Sequence, residues 1–372
     1  MQKVKLKEVC TLINGRAYKQ EELLDSGKYP VLRVGNFFSD KDYYYSDLEL
    51  EEDKYCDSGD LLFAWSASFG PKIWNGGKVI YHYHIWKMVL EDTINKEYLY
   101  YYLYYLSERI KAEGHGGIMI HTTKAEMEER ELSLPDMSKQ CEIAKVLNQL
   151  SSIIEKRQIE IKELDNLIKA RFVELFGNPI TNEKGWDTAE LNSVCDGIGD
   201  GLHGTPEYDE SGDYPFINGN NLMSGIIEIT PATKMVNEET YKKHFIELTD
   251  NAILLSINGT LGKLAFYNGE AVMLGKSACY CNLKPEINRE FVYGVMKTDA
   301  FMGFLESNAT ASTIKNVGLK AIRGFRLILP PEELQAEFVE FSKQVDKSKV
   351  AVQKALDETK LLFDSLMQQY FG

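Results

Sequence analysis

Two kinds of periodicity alternate along the chain. Short apolar runs, VLRV (31–34), DLLFAW (60–65), AILLSI (252–257) and GFRLIL (324–329), are bounded by Gly, Asn and Pro, which predicts β-strands joined by turns. Residues Lys96–Ala112 predict a helix whose Tyr98, Tyr101, Tyr102 and Tyr105 fall at helical spacing. That stripe reads as core packing rather than a platform for stacked bases. Two longer stretches carry apolar side chains in alternating steps of four and three. The first runs Ile143, Leu147, Leu150, Ile154, Ile161, Leu164, Ile168, Leu175, with Arg157 and Arg171 in the same register. The second runs Phe338, Val345, Val352, Leu356, Phe363, Leu366, Tyr370, and is interrupted by Ser342, Lys349 and Thr359. A sustained 3.5-residue repeat predicts a coiled coil. Each stretch follows a Leu-Pro pair, where proline ends a strand and acidic residues suit the first helical turn.

The same order of motifs occurs twice. Leu6, Val9, Cys10 and Ile13 align without a gap on Leu191, Val194, Cys195 and Ile198. Ser26-Gly27-x-Tyr29-Pro30 answers Ser211-Gly212-x-Tyr214-Pro215, and Asn36 answers Asn221. GDLLFAWSASFG (59–70) answers NAILLSINGTLG (251–262), Leu134-Pro135 answers Leu329-Pro330, and Phe176-Gly177 answers Phe371-Gly372. The offset grows from 185 through 192 to 195, as small loop insertions within a common fold would make it.

The expected fold is therefore a tandem duplication of α/β (α+β) domains, each followed by a long helix, with the two helices paired as an antiparallel coiled coil. The expected boundaries are 1–135 for the first domain, 136–178 for the central helix, 179–330 for the second domain and 331–372 for the last helix. About 36 helical residues at 1.5 Å each give a rod of roughly 54 Å, and the pairing predicts a dumb-bell with approximate two-fold symmetry.

Composition changes this picture little, but charge matters. No apolar run approaches the roughly 20 residues of a membrane helix, and the beginning MQKVKLKEVC lacks a signal peptide's apolar stretch. Six scattered cysteines read as reduced thiols rather than a disulfide framework. A cytoplasmic protein without membrane contact is expected. The net charge of −14 argues against tight nucleic-acid binding by the chain alone, although residues 313–326 hold Lys315, Lys320, Arg323 and Arg326 with no acid among them. A partner supplying cations would resolve the conflict.

Catalytic chemistry is not legible. His82 and His84, two apart in VIYHYHIWK, read as one face of a strand without a third metal ligand, and Cys279 and Cys281 as buried small side chains. GDGLHGTPEY (199–208) lacks the Lys-Ser/Thr ending of a phosphate loop, and Asn178-Pro179 is followed by Ile180, not by the Pro-aromatic pair of a methyltransferase acting on base amino groups. No catalytic residue and no metal ligand is expected. What remains are turns rich in hydrogen-bonding side chains. The first unit has Arg16, Lys19, Arg33, Asn36, Ser66, Ser68 and Lys72; the second has His203, Thr205, Asn218, Asn220, Asn221, Ser256, Asn258, Thr260 and Lys263. Asn suits adenine edges and Arg guanine edges, while Asn, Gly and Ser also simply make turns. Both readings stay open for each residue. Lys315 and Lys320 are candidates for holding phosphates.

The ordered, duplicated motifs resemble the specificity subunits of type I restriction–modification systems. They comprise the Leu/Val/Ile opening of each unit, Gly-x-Tyr-Pro followed by Asn, Gly-Asp-Leu-Leu (59–62) with its counterpart, Leu-Pro-x-x-x-x-Gln opening each helix, and Leu-Phe-Gly-Asn-Pro (175–179). The resemblance covers essentially the whole chain. It implies a non-catalytic subunit in which each variable unit is a target-recognition domain for half of a split sequence in double-stranded DNA. It also implies that the paired helices bind two methyltransferase subunits, which methylate adenine with S-adenosylmethionine, and that restriction/translocase subunits can join. Leu150, Ile154, Ile161, Leu164, Val352, Leu356 and Phe363 are the expected partner-binding helix residues, and no cofactor is expected on this chain. The competing expectations are a protein–protein adaptor with a coiled-coil spacer, and an enzyme whose site is not legible.

Overall fold

A computed structural model describes residues 2–39, 41–66, 69–113 and 122–372. The chain divides into two compact units, one of Met1–Ile159 with Gln353–Gly372 and one of Glu160–Val352.

The first unit is built on a four-stranded antiparallel sheet in the order Cys10–Asn14, Ile85–Leu90, Leu61–Ala64, Gly70–Ile73. Leu61–Ala64 is buried along its whole length, which is why it reads as an unbroken apolar run rather than an alternating one. A second sheet has the order Tyr44–Ser46, Tyr29–Leu32, Val79–Tyr81, Tyr55–Cys56, with Tyr29–Leu32 parallel to Val79–Tyr81. Gln2–Lys5 pairs with Glu131–Leu134, so the start and end of the α/β region lie side by side. Buried Leu6 donates its N–H to the Arg130 carbonyl at that junction.

The second unit repeats the strand order. Its four-stranded sheet runs Cys195–Asp200, Ala278–Leu283, Ala252–Ser256, Leu264–Phe266. Its second sheet runs Met235–Val236, Tyr214–Ile217, Met273–Leu274, again with one parallel pair. Asp187–Glu190 closes on Arg326–Leu329, and Leu191 bonds to the Phe325 carbonyl as Leu6 does to Arg130. Cys279 and Cys281 are fully buried on the Ala278–Leu283 strand.

Helix Lys96–Glu113 backs the first unit's sheet. Tyr98, Tyr101 and Tyr102 are buried, and their hydroxyls reach the Ser133 carbonyl, Asn148 Oδ1 and the Glu131 carbonyl. The tyrosine stripe is thus core, with each polar tip satisfied.

The long helices run Met137–Phe176 and Glu332–Phe371. The glutamine of Leu-Pro-x-x-x-x-Gln is structural: Gln140 donates to the Pro135 carbonyl at 2.9 Å, and Gln335 to the Pro330 carbonyl at 2.8 Å. Glu332 and Glu333 fill the first turn of the second helix, but the first helix has no acid there. Asp136 instead precedes it and accepts the Lys139 N–H. Gly177, at φ 72°, ends the first helix and returns its N–H to the Val173 carbonyl.

Within the first unit, Ile143 and Leu147 share a core with Phe363 and Met367, and Leu150 and Ile154 pack at its edge. Within the second, Phe338 meets Phe172 and Phe176 at ring separations of 5.3 and 5.7 Å. Most polar interruptions in the apolar rows have partners, whereas the buried Ser342 hydroxyl has none among the described residues. Arg157 donates to the Ala355 carbonyl and the Thr359 hydroxyl, and Lys349 to Asp165 at 2.6 Å. Among the described residues, no helix is long and apolar enough to cross a membrane.

Candidate functional site

The two units share a backbone arrangement at one end of their sheets. In the first unit Arg16 donates its N–H to the Tyr81 carbonyl and Tyr83 to Arg16, while His82 donates to Leu32 and Trp65 to His84. In the second unit Leu202 donates to Leu274, Lys276 to Leu202, Gly275 to Ile217 and Ile257 to Ser277. These are the same four bonds. A Cβ at Gly15 would lie 2.3 Å from the Tyr81 oxygen, and one at Gly201 2.0 Å from the Leu274 oxygen, so each crossing requires glycine. On this common frame the side chains differ. Arg16, Arg33, Trp65, Ser66, His82, Tyr83 and His84 occupy the places of Leu202, Asn218, Ile257, Asn258, Gly275, Lys276 and Ser277.

The structure separates the expected contact residues into exposed groups and framework. Asn36 is buried: its Oδ1 accepts the Arg33 N–H, and its amide donates to the Lys41 and Asp42 carbonyls. Asn221 does the same with the Asn218 N–H and the Glu228 carbonyl. Both are pins of a turn rather than free readers. Ser256 is also framework, because its fully buried hydroxyl donates to the Thr260 carbonyl and accepts the Lys263 N–H. Arg16 is committed to Glu22 through a two-pronged pair at 2.9 and 2.7 Å, which with the Lys19 N–H holds the Glu22 carboxyl down to about 2. Lys72 donates to the Phe37 carbonyl and lies over the Phe37 and Trp74 rings.

Most of the other expected residues remain at least partly exposed. Lys19 is exposed, 3.8 Å from Glu21, and Arg33 is exposed over the Tyr44 ring. Ser66 is buried and Asn258 half-buried at matching places, while Ser68 lies outside the described residues. His203 is exposed with its Nε2 2.7 Å from Asp200. Thr205, Asn220 and Thr260 are exposed, and Asn218 accepts the Ser277 hydroxyl at 3.0 Å. Lys263 is half-buried, with its ammonium 3.8 Å from Met223 sulfur. The basic run 313–326 is largely engaged. Lys315 sits 3.8 Å from Glu306, Arg323 donates to the Ile198 carbonyl, and Arg326 to Thr188. Lys320 is exposed.

Two groups of residues sit differently from what the sequence predicts. His82 and His84 are not on a strand; they belong to the turn between Val79–Tyr81 and Ile85–Leu90, where the crossing Gly15–Arg16 segment displaces regular pairing. Burial, His84 and Arg33 together push the His82 imidazole down to about 4, and burial lowers His84. The second group lies on the long helices. Leu356 and Phe363, expected as partner contacts, are both buried, Phe363 in the core of the first unit. Leu150, Ile154, Ile161, Leu164 and Val352 are half-buried. The apolar groups that reach solvent are offset from that row: Ile153 is 39% exposed, Leu362 49% and Leu361 72%. Ile153 and Leu362 line an open groove of about 760 Å³ in the first unit, with Val146, Leu150, Leu366 and the stems of Lys145 and Lys156. Among the described residues, no three His, Cys, Asp or Glu side chains cluster to hold a metal ion.

Comparison with known proteins agrees with this geometry. The type I restriction modification DNA specificity domain matches twice, over residues 1–163 and 183–359. The specificity subunit of type I restriction enzyme EcoBI from Escherichia coli is 19% identical over 403 residues, covering 99% of this chain and 85% of that protein. The MjaVIII specificity subunit from Methanocaldococcus jannaschii is 20% identical over 323 residues, covering 80% of this chain and 76% of that protein. Among solved structures, the type I S subunit from M. genitalium superposes with a TM-score of 0.56 at 16% identity, covering 100% of this chain and 96% of that one. A chain solved in work on complex assembly and conformational transition of the type I system also gives 0.56 at 16% identity, covering 99% and 97%. With the family matched over both units, the chain belongs to the type I restriction–modification DNA specificity subunits.

Proposed function

We propose that each unit reads one half of a bipartite DNA target and that the chain positions adenine methyltransferase subunits without catalysing a reaction itself. The observation that carries this reading is one backbone frame bearing two unrelated sets of side chains. Framework bonds at Asn36 and Asn221 fix the same turn in both units, while exposed Arg33 in one and half-buried Asn258 in the other offer different hydrogen-bonding groups. The long helices pair antiparallel, a reading supported by Arg157 with Thr359 and Lys349 with Asp165.

Two methyltransferase subunits dock along the helices, one of them over the apolar groove beside Ile153 and Leu362, and bring S-adenosylmethionine with them. They also supply the cations that a chain of net charge −14 lacks. Restriction/translocase subunits join the same assembly. The complex acts in the cytoplasm, where the chromosome is its substrate.

The test maps methylated adenines across a genome in cells with and without this chain, and with Arg33→Ala or Asn258→Ala. A split target should appear only with the chain. Arg33→Ala should relax the first half alone and Asn258→Ala the second alone, by about 1–3 kcal/mol per lost base contact. A continuous target, or one variant relaxing both halves equally, refutes the division of labour.

A further inference from the structure

The first unit carries a ring stack at its variable end that the backbone does not require. Trp86 is fully buried; Trp65 stacks on it at 5.8 Å and 20°. His84 meets the Trp65 ring edge-on at 5.0 Å, and His82 lies 4.8 Å beyond His84. Tyr18 closes the far side of His82 at 6.4 Å. The Trp65 indole N–H donates to the Tyr83 carbonyl at 2.8 Å, tying stack to turn. The second unit makes the same turn, with the same backbone bonds, from Gly275, Lys276 and Ser277 over Ile257. Closing the turn therefore does not explain the rings.

Nor are the imidazoles used internally. Neither His82 nor His84 has a side-chain hydrogen-bond partner among the described residues, and both are only half-buried. A neutral imidazole offers one donor and one acceptor. Two of them, held by flanking rings, form a preorganised pair of polar edges at the end of the unit where Arg33 is also exposed. Their lowered affinity for protons leaves them uncharged at neutral pH, so they suit base edges better than phosphates.

We propose that the His82–Tyr83–His84 turn reads base edges in the first half-site, with His82 and His84 as the hydrogen-bonding groups and Trp65 as their support. This rests on the chain being a DNA-reading subunit. The equivalent turn of the second unit, with exposed Lys276 at its tip, sets a different preference on the same frame.

The test uses the full chain with its methyltransferase partner in cells, comparing the wild type with His84→Ala, His84→Gln and His82→Ala by genome-wide mapping of methylated adenines. Binding of the purified complexes to wild-type and single-mismatch duplexes is measured across a salt series. The alanine variants should lose discrimination at one or two positions of the first half by roughly 5- to 150-fold. The second half and the salt slope should stay unchanged, because a neutral ring releases no counterion. His84→Gln, which keeps a donor and an acceptor, should retain more discrimination than His84→Ala. An unchanged target with all three variants overturns the proposal, as does uniform weakening with a shallower salt slope, which would mark phosphate contacts. Thermal unfolding separates both from a collapsed turn: discrimination lost in step with folded fraction also counts against a reading role. If the wild-type chain directs no split methylation at all, the DNA-reading function falls first.

Discussion

Leu362→Asp separates the proposed docking surface from the core. Leu362 is 49% exposed and lines the apolar groove, whereas Leu356, on the same helix, is 3% exposed. Burying a leucine completely is worth about 1.5–3 kcal/mol, so covering the half still exposed contributes about 1 kcal/mol to docking. A carboxylate in its place removes that gain and leaves an unpaired charge against an apolar partner, a further cost of several kcal/mol. The combined loss of at least about 3 kcal/mol weakens assembly by roughly 100-fold or more. The folded chain loses little, about 0.5 kcal/mol from helix propensity, because the new side chain stays in water. Leu356→Asp should instead cost the first unit more than about 3 kcal/mol of stability. The assay pairs denaturant unfolding of the free chain with titration calorimetry against the methyltransferase subunit. If Leu362→Asp is folded and binds that subunit with wild-type affinity, the groove is not the docking surface.

Asn36→Ala or Asn221→Ala should destabilise its own unit by about 2–3 kcal/mol, since each strands a backbone N–H and carbonyls in a closed turn, while the methylated sequence is unchanged; a shifted target would show that these side chains read bases. Lys349→Met should cost about 1–2 kcal/mol in denaturant unfolding, because Asp165 loses its 2.6 Å partner close to Asp346, whose carboxyl is already raised by burial; equal or greater stability would mean the charged layer is not stabilising. The His82 proton affinity predicts a pH signature. Its folded value, about 4, lies below the unfolded value near 6.5, so the unfolded chain takes up the proton first and stability falls as pH drops from about 6.5 toward 4. With solvent screening of a half-exposed ring facing His84, Arg33 and Tyr18, the loss from pH 7 to 5.5 is about 0.5–1 kcal/mol. His82→Gln should remove it, and an identical pH slope in that variant would contradict the assigned cause.

The frame is more legible in the sequence than the reading surface. Strand Leu61–Ala64 and the tyrosine stripe announce themselves through burial, and the long helices through apolar spacing. The shared Asn36 and Asn221 carried a signal of their own: an asparagine common to two units that differ at their exposed turns belongs to what they share. VIYHYHIWK misleads because its β-branched and aromatic residues favour a continuous strand, whereas the crossing at Gly15 imposes a turn from 70 residues away. Arg16 and Lys72 look free in sequence because nothing local marks Glu22 or the Phe37 carbonyl as their partners. Lys349 and Thr359 look like flaws in an apolar row until Asp165, 184 residues earlier, and Arg157, 202 residues earlier, are seen beside them.

The composition of the first unit has a temporal consequence. Its core is finished by side chains from residues 353–371: Phe363 against Tyr101, Phe371 against Tyr98, and Gln368 accepting the Tyr105 hydroxyl. Residues 160–352 are made in between. At roughly 5–20 residues per second, a ribosome needs about 10–40 seconds to cross that stretch. For that interval a nascent first unit presents an uncovered aromatic face, and when it ends the unit made second has every part of its own core while the first still lacks residues 353–371. The half that emerges first is the half that matures last, so a ribosome stalled in the final helix would release a chain whose defect lies at its beginning.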